Sequence, residues 1–268
     1  MKKTIENIYL KLGEIIIKVN FCETSFIYAR EKLQKEIFYH CTHLFIPPQG
    51  EKIDFSIDIV WDERPEFIYG QKEKKYFNKL VLRQNSKKFV TFYHIGILQF
   101  LGLISNIYQH LMVKRDGFMI HLASALVDGK ASLFVGDSGA GKSTIVGLIN
   151  KQFPTLSDDR GIIRKKNHPF LFYQLPFIEF GSEKKVILPF PIGNIYFLHK
   201  ASFCKARKIM KKEYIAELIN KQLIYIGDSK KEQIRTIRTA FNFISRHNDF
   251  YNLYFTKDRD DIIHLIKN

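Results

Sequence analysis

The run Gly136-Asp137-Ser138-Gly139-Ala140-Gly141-Lys142-Ser143-Thr144 constrains this chain more than any other stretch. It satisfies G-x-x-x-x-G-K-[ST], the spacing of a phosphate loop (P-loop). Each residue type has a physical task. The glycines let the backbone turn tightly and approach a ligand, so that successive N–H groups point inward at an anion. A helix opening directly behind the loop adds the positive end of its dipole. Lys142 supplies a point charge for the outer phosphates. The Ser143 hydroxyl is an oxygen ligand of the kind Mg2+ takes. Thr144 is expected only to cap or pack that helix. The ligand implied is a nucleoside triphosphate.

Such a loop needs a strand before it and a helix after it. Phe118–Val127 and Ala131–Val135 are apolar runs separated by Asp128-Gly129-Lys130. Asp-Gly between two such runs is a hairpin signal, and the second run leads straight into the glycines. Ser143–Lys151 reads as the helix. Upstream, His94–Val113 is uncharged and rich in Ile and Leu over 20 residues, long enough to suggest a membrane span. Gln99, Ser105, Asn106, Gln109 and His110 favour a buried core helix instead. Lys114-Arg115-Asp116-Gly117 ends it, with cations at the negative end of the dipole.

Residues 1–93 read as a separate, β-rich α+β domain, and 94–268 as the domain carrying the loop. In Lys52–Trp61 the apolar Ile53, Phe55, Ile57, Ile59 and Trp61 alternate with Asp54, Ser56, Asp58 and Val60, the period of a half-buried strand. Tyr76–Leu82 and Lys88–Tyr93 suggest two more strands joined through Asn85-Ser86. Pro47-Pro48-Gln49-Gly50 reads as a turn and Ala29–Tyr39 as a helix. None of this carries visible chemistry.

Phe153-Pro154-Thr155-Leu156-Ser157 reads as a short strand ending in Asp158-Asp159-Arg160. Strand ends on the loop's side are where open α/β sheets bind ligands. Neighbouring strand residues point to opposite faces, so the acids should divide the work, one toward a metal and one toward an acceptor. Asp158 lies 16 residues after Lys142, room for one short helix and a return strand and nothing more. No LSGGQ-like or N-K-x-D element is present.

The net charge is +15. Between His199 and Arg246, 12 Lys or Arg stand against four Asp or Glu. The spacings Lys208/Lys212 and Lys231/Arg235/Arg238 would give cationic faces on helices, either solvated or gathering an acidic peptide. No helix-turn-helix, zinc-finger or RNA-sheet signature accompanies the charge, which argues against nucleic acid. Cys22, Cys41 and Cys204 are odd in number and widely spaced, so neither a disulfide framework nor a zinc site is expected, and a reducing cytoplasm suits them. The charged N-terminus lacks the apolar stretch of a signal peptide.

The stretch Ile120-His121-Leu122-Ala123-Ser124 through Asp128-Gly129-Lys130, the loop GDSGAGKST, and the close Ser157-Asp158-Asp159 resemble the HPr kinase/phosphorylase family, and more closely its HPr-kinase-like relatives. The resemblance is clearest over 118–165. It implies a kinase core like that of phosphoenolpyruvate carboxykinase, within an α/β (α+β) fold. It implies transfer of the ATP γ-phosphoryl group to a serine hydroxyl of a peptide or protein. Lys142 and Ser143 carry over as phosphate and Mg2+ contacts, Asp158 as the general base, Asp159 as the metal-side acid and His121 as the active-site histidine. A strand at Ile195–Leu198 and the final strand and helix, Tyr251–Phe255 and Arg259–Ile266, suit the same pattern. The chain also departs from it. Thr144 stands where the kinase proper has Glu, and Phe177-Ile178-Glu179-Phe180-Gly181 is at most a remnant of its second signature. The acceptor is therefore not fixed as HPr. An assembly-driving ATPase and a basic nucleic-acid module with a vestigial loop remain alternatives, and a homo-oligomer is open.

Overall fold

The computed structural model describes residues 4–47, 50, 52–61, 83–85, 87–166, 169–177, 188–226 and 229–267. The strand expected at Tyr76–Leu82, the connection at Ser86, Pro48-Gln49 of the turn and Ile178–Gly181 lie outside these residues. Among the described residues the protein is a mixed α/β structure with two sheets. It divides into two compact units, one built largely from Met1–Tyr108, the other from Gln109–Leu175 with Leu188–Asn268.

The first unit holds β1 (Thr4–Leu12), β2 (Ile15–Cys22), α1 (Ile27–Cys41), β3 (Phe45–Ile46), β4 (Phe55–Val60), β5 (Arg83–Asn85) and β6 (Lys88–Phe92). Its sheet runs β3-β1-β2-β4-β6-β5. In β4 the expected alternation is present, with Phe55, Ile57 and Ile59 buried and Ser56, Asp58 and Val60 less so. Ile53 precedes the strand and is exposed. The uncharged stretch forms α2 (Ile97–Lys114). No helix among the described residues is long and apolar enough to cross a membrane.

The second unit contains β7 (Gly117–Val127), β8 (Lys130–Val135), α3 (Lys142–Ile149), β9 (Thr155–Ser157), β10 (Arg160–Lys165), β11 (Phe170–Tyr173), β12 (Pro189–Lys200) and β13 (Lys205–Lys208). It continues with α4 (Lys212–Gln222), β14 (Leu223–Ile224), α5 (Lys230–Arg246), β15 (Phe250–Phe255) and α6 (Arg259–Lys267). The path β11-β10-β7-β8-β12-β15-β13 is mixed: β12 is parallel to β8 and β15, whereas β7 is antiparallel to β8 and β10. Asp128 (φ 47°) and Gly129 (φ 76°) are both left-handed, the geometry a two-residue hairpin between β7 and β8 requires.

Alternation along the strands feeds two cores. Ile120, Leu122, Leu133, Val135, Ile195, Phe197 and Phe250 face Ile215 and Ile219 of α4 and Ala240, Phe243 and Ile244 of α5. Ala123, Ala125, Phe134, Tyr196, Leu198, Leu253 and Phe255 face Ile145, Val146 and Ile149 of α3 and Ile262 and Ile266 of α6. The sheet is thus a middle layer, and the glycine loop connects its centre to the helix on one side. At Gly161 of β10 a Cβ would come within 2.2 Å of the Phe172 ring on β11. The ring occupies the space that a side chain would need.

In the basic region Lys231, Arg235 and Arg238 lie on α5, as their spacing leads one to expect, but Lys208 and Lys212 do not share a helix. Lys208 ends a strand and Lys212 begins a helix. The Lys212 ammonium is used within the fold, donating to the carbonyls of Ile244 (2.8 Å) and His247 and to Asn248 Oδ1 (3.2 Å). It thereby satisfies carbonyls that the end of α5 leaves open. Arg235 donates to the Lys114 carbonyl and to Asp116 Oδ1 (3.0 Å). These two cations bind the C-terminal ends of helices within the fold.

Candidate nucleotide and acceptor site

β7 changes neighbours at His121. Its first half pairs with β14 (Ile120 with Leu223, Met119 with Ile224), and its second half, from Leu122 on, pairs with β8. Along one edge of β7, then, β8 stops and β14 takes over. The glycine loop leaves the sheet at that seam, and α4 arrives there. On the opposite edge β9 and β10 run in one line, with Ser157 opposite Ser124 and Arg160 opposite His121. The line breaks at Asp158-Asp159. Ser157 Oγ donates to the Arg160 carbonyl at 2.5 Å, and Leu122 N–H to the Asp159 carbonyl at 3.1 Å. Both bonds fix the turn that carries the two acids. Interruptions of this kind re-aim side chains beside functional sites.

The loop has the backbone its sequence requires. Gly139 and Gly141 have φ of 79° and 103°, a region that costs an L-residue. Gly141 also lies against Phe255: a Cβ would sit 2.7 Å from its Cζ. Gly139 has nothing within 4 Å of a Cβ. α3 begins immediately afterwards at Lys142, and Ile145 N–H closes its first turn on Gly141 O at 2.9 Å. Gly136 to Ala140 are half-exposed or exposed, and so are Ser143 and Thr144. Lys142 is 7% exposed. Its Nζ donates to the carbonyls of Gly136 (2.7 Å) and Asp137 (3.1 Å). Burial lowers its affinity for the proton, while the carboxylates of Asp159 and Asp137 act in the opposite sense.

The two aspartates differ in surroundings. Asp158 is exposed and has no ion pair among the described residues. The Asp159 carboxylate is held at both oxygens, by His121 Nε2 at 3.2 Å on Oδ1 and Arg160 Nε at 2.5 Å on Oδ2. Desolvation, followed by the Lys142 charge, lowers the His121 pKa, with Asp159 opposing and Arg160 reinforcing. A neutral His121 therefore donates Nε2–H to the carboxylate.

His121, Asp159 and Arg160 form one wall of a cleft of about 370 Å3, and Lys221, Gln222, Leu223 and Ile224 form the other. The second wall is invisible in the sequence. Gln222 is buried, and its Nε2 donates to Asp137 Oδ1 at 2.6 Å, tying the end of α4 to the glycine loop across 85 residues. Lys221 pairs with Glu217 at 2.8 Å on the helix surface. Local patterning marks neither as functional, because only the β14–β7 pairing brings them to the loop.

No cluster of three or more His, Cys, Asp or Glu suited to a metal occurs among the described residues. Mg2+ needs no such cluster: it keeps waters and takes one or two protein oxygens alongside substrate phosphates. The Ser143 hydroxyl, exposed at the start of α3, and the Asp159 carboxylate, within electrostatic reach of Lys142, carry oxygens of the kind such an ion takes. No protein-family model matches the chain, and no curated protein does. Among solved structures it is similar to the Hpr(Ser) kinase/phosphatase from Coxiella burnetii, at 10% identity and a TM-score of 0.29, over 56% of this chain and 92% of that one. A likeness of that degree specifies neither activity nor acceptor.

Proposed function

We propose that this chain is an HPr-kinase-like, ATP-dependent kinase that moves the γ-phosphoryl group of Mg·ATP to a serine hydroxyl of a peptide or protein. Its core would be of the phosphoenolpyruvate carboxykinase-like P-loop kind, within residues 94–268, and residues 1–93 would form a separate β-rich domain. The observation that carries this is the approach of Asp159 to the glycine loop. Asp159 lies within the electrostatic reach of Lys142, and Asp158 stands beside it on the same turn, unpaired among the described residues.

Phosphoryl transfer is mainly positioning plus stabilisation of charge. The loop N–H groups from Gly136 to Thr144 and the Lys142 ammonium hold the phosphates. Ser143 and Asp159 would hold Mg2+, which when bound neutralises charge on the β and γ oxygens. Asp158 takes the serine proton while the serine Oγ–P bond forms and the bond to the ADP oxygen breaks. His121 keeps Asp159 oriented through Nε2–H. The cleft between β10 and α4–β14 receives the acceptor side chain.

The test is transfer of labelled γ-phosphate from ATP to serine-bearing peptides encoded beside the gene. Phosphoserine in a peptide is the expected product. ADP and free phosphate alone, with no labelled acceptor, would replace this reading with an ATPase.

A further inference from the structure

Arg160 is the first residue of β10 and lies directly across from His121 in the ladder. Its backbone is fixed by Ser157 Oγ at 2.5 Å, and its neighbour Gly161 is packed under Phe172. Among the described residues its guanidinium is bound only through Nε, to Asp159 Oδ2. Among the described residues no hydrogen bond holds its two terminal amino groups. The side chain is 47% exposed and lines the cleft together with His121 and Asp159.

Two other cations stand near this cleft, and Lys142 belongs to the loop itself. Lys142 donates to two loop carbonyls, and Lys221 is paired with Glu217. Only one edge of Arg160 is anchored. A guanidinium offers five N–H donors in a fixed plane, matched to two oxygens of one phosphate. Anchoring through Nε restricts the side chain and leaves its terminal groups for an anion, which lowers the ordering cost of each bond they form.

We propose that Arg160 is a catalytic residue: its terminal amino groups grip the γ-phosphoryl oxygens, as an arginine supplied in cis does in other phosphoryl-transfer enzymes. Arg160 makes and breaks no covalent bond. It supplies positive charge where the metaphosphate-like group passes from ADP to the serine oxygen. This rests on the kinase reading only in needing a triphosphate at the loop.

The experiment compares affinities for Mg·ADP and for the non-hydrolysable β,γ-imido analogue of Mg·ATP by calorimetry, in wild type, Arg160→Gln and Arg160→Lys. No acceptor is required. A charge-assisted contact to the γ group should weaken the analogue by about ten- to a hundredfold in Arg160→Gln. ADP affinity should stay within about threefold, under 1 kcal/mol, because ADP carries no γ group for Arg160 to touch. Arg160→Lys should fall between wild type and Arg160→Gln. If both nucleotides weaken together, or the analogue does not weaken, Arg160 only holds Asp159 in place and the proposal is overturned. Circular-dichroism melts of both variants at the wild-type temperature are expected, and a Gln variant that unfolds leaves Arg160→Lys to decide between the same two outcomes. If wild type binds both nucleotides yet labels no peptide, the kinase reading fails while the Arg160 contact stands. If wild type binds neither, both fail.

Discussion

Replacing Gly141 with alanine tests the loop geometry quantitatively. Two penalties can be separated. Gly141 has φ of 103°, and left-handed backbone costs an L-residue roughly 1–2 kcal/mol. The new Cβ would also lie 2.7 Å from Phe255 Cζ. Carbon atoms prefer about 3.5–4.0 Å, so the ring or the loop must move, and overpacking of this kind costs typically ~1–3 kcal/mol. The sum is about 2–5 kcal/mol. Gly139→Ala is the internal control: its φ is 79° with nothing within 4 Å of a Cβ, so it should lose only the backbone part, about 1–2 kcal/mol. Urea unfolding followed by far-UV circular dichroism measures both. Trimming the ring in Phe255→Leu should restore part of the loss in the double mutant, with a coupling of about 1–2 kcal/mol in the stabilising direction. Equal losses at Gly139 and Gly141, with no coupling to residue 255, would show that Phe255 does not press on the loop and would refute the steric argument.

Asp158→Asn should leave nucleotide affinity intact and slow transfer by ~10²–10⁴-fold, the usual worth of general-base help; full activity would remove Asp158 from the chemistry. Lys142→Ala should weaken ATP binding itself, and unchanged affinity by calorimetry would refute the loop assignment. Gln222→Leu deletes a bond of about 0.5–1.5 kcal/mol and leaves Asp137 without its partner, so hydrogen exchange in residues 136–141 should speed up several-fold, and identical exchange would mean that the contact does not steady the loop. Because burial lowers the His121 pKa, the unfolded chain binds that proton more readily. Its contribution is complete above the ordinary imidazole value of 6.5 and is lost as pH falls from there toward the depressed value. His121→Asn should flatten stability over that acid window, and an unchanged pH profile would contradict it.

The parts of the site that were legible in sequence are those encoded locally. Asp128-Gly129 dictates its own turn, and the glycine run dictates strand, loop and helix because Gly139 and Gly141 alone tolerate the φ values found there. That Asp159 comes within electrostatic reach of Lys142 follows from there being too few residues between them for a detour. The second wall of the cleft was not legible. Gln222 reaches Asp137 only because a two-residue strand, β14, replaces β8 beside β7, and two residues carry no periodicity to read. Lys208 and Lys212 illustrate the opposite error. Their spacing fits a helix, but Lys205–Lys208 pairs with β15, where Arg207 and Lys208 lie over the rings of Tyr254 and Tyr251. Tertiary partners, absent from any local window, overrode the pattern.

The Phe172 ring packed onto Gly161 has a consequence for inheritance as well as for packing. A slip of β10 by one residue along β7 would bring a side chain into the ring's space and turn Arg160 to the other face of the sheet. Gly161 therefore acts as a ratchet stop that indexes the neighbouring arginine. A substitution there would touch no ligand and remove no charged group. It would nevertheless abolish the alignment on which Asp159, Arg160 and His121 depend, and in a genetic screen it would be scored with substitutions of those three residues.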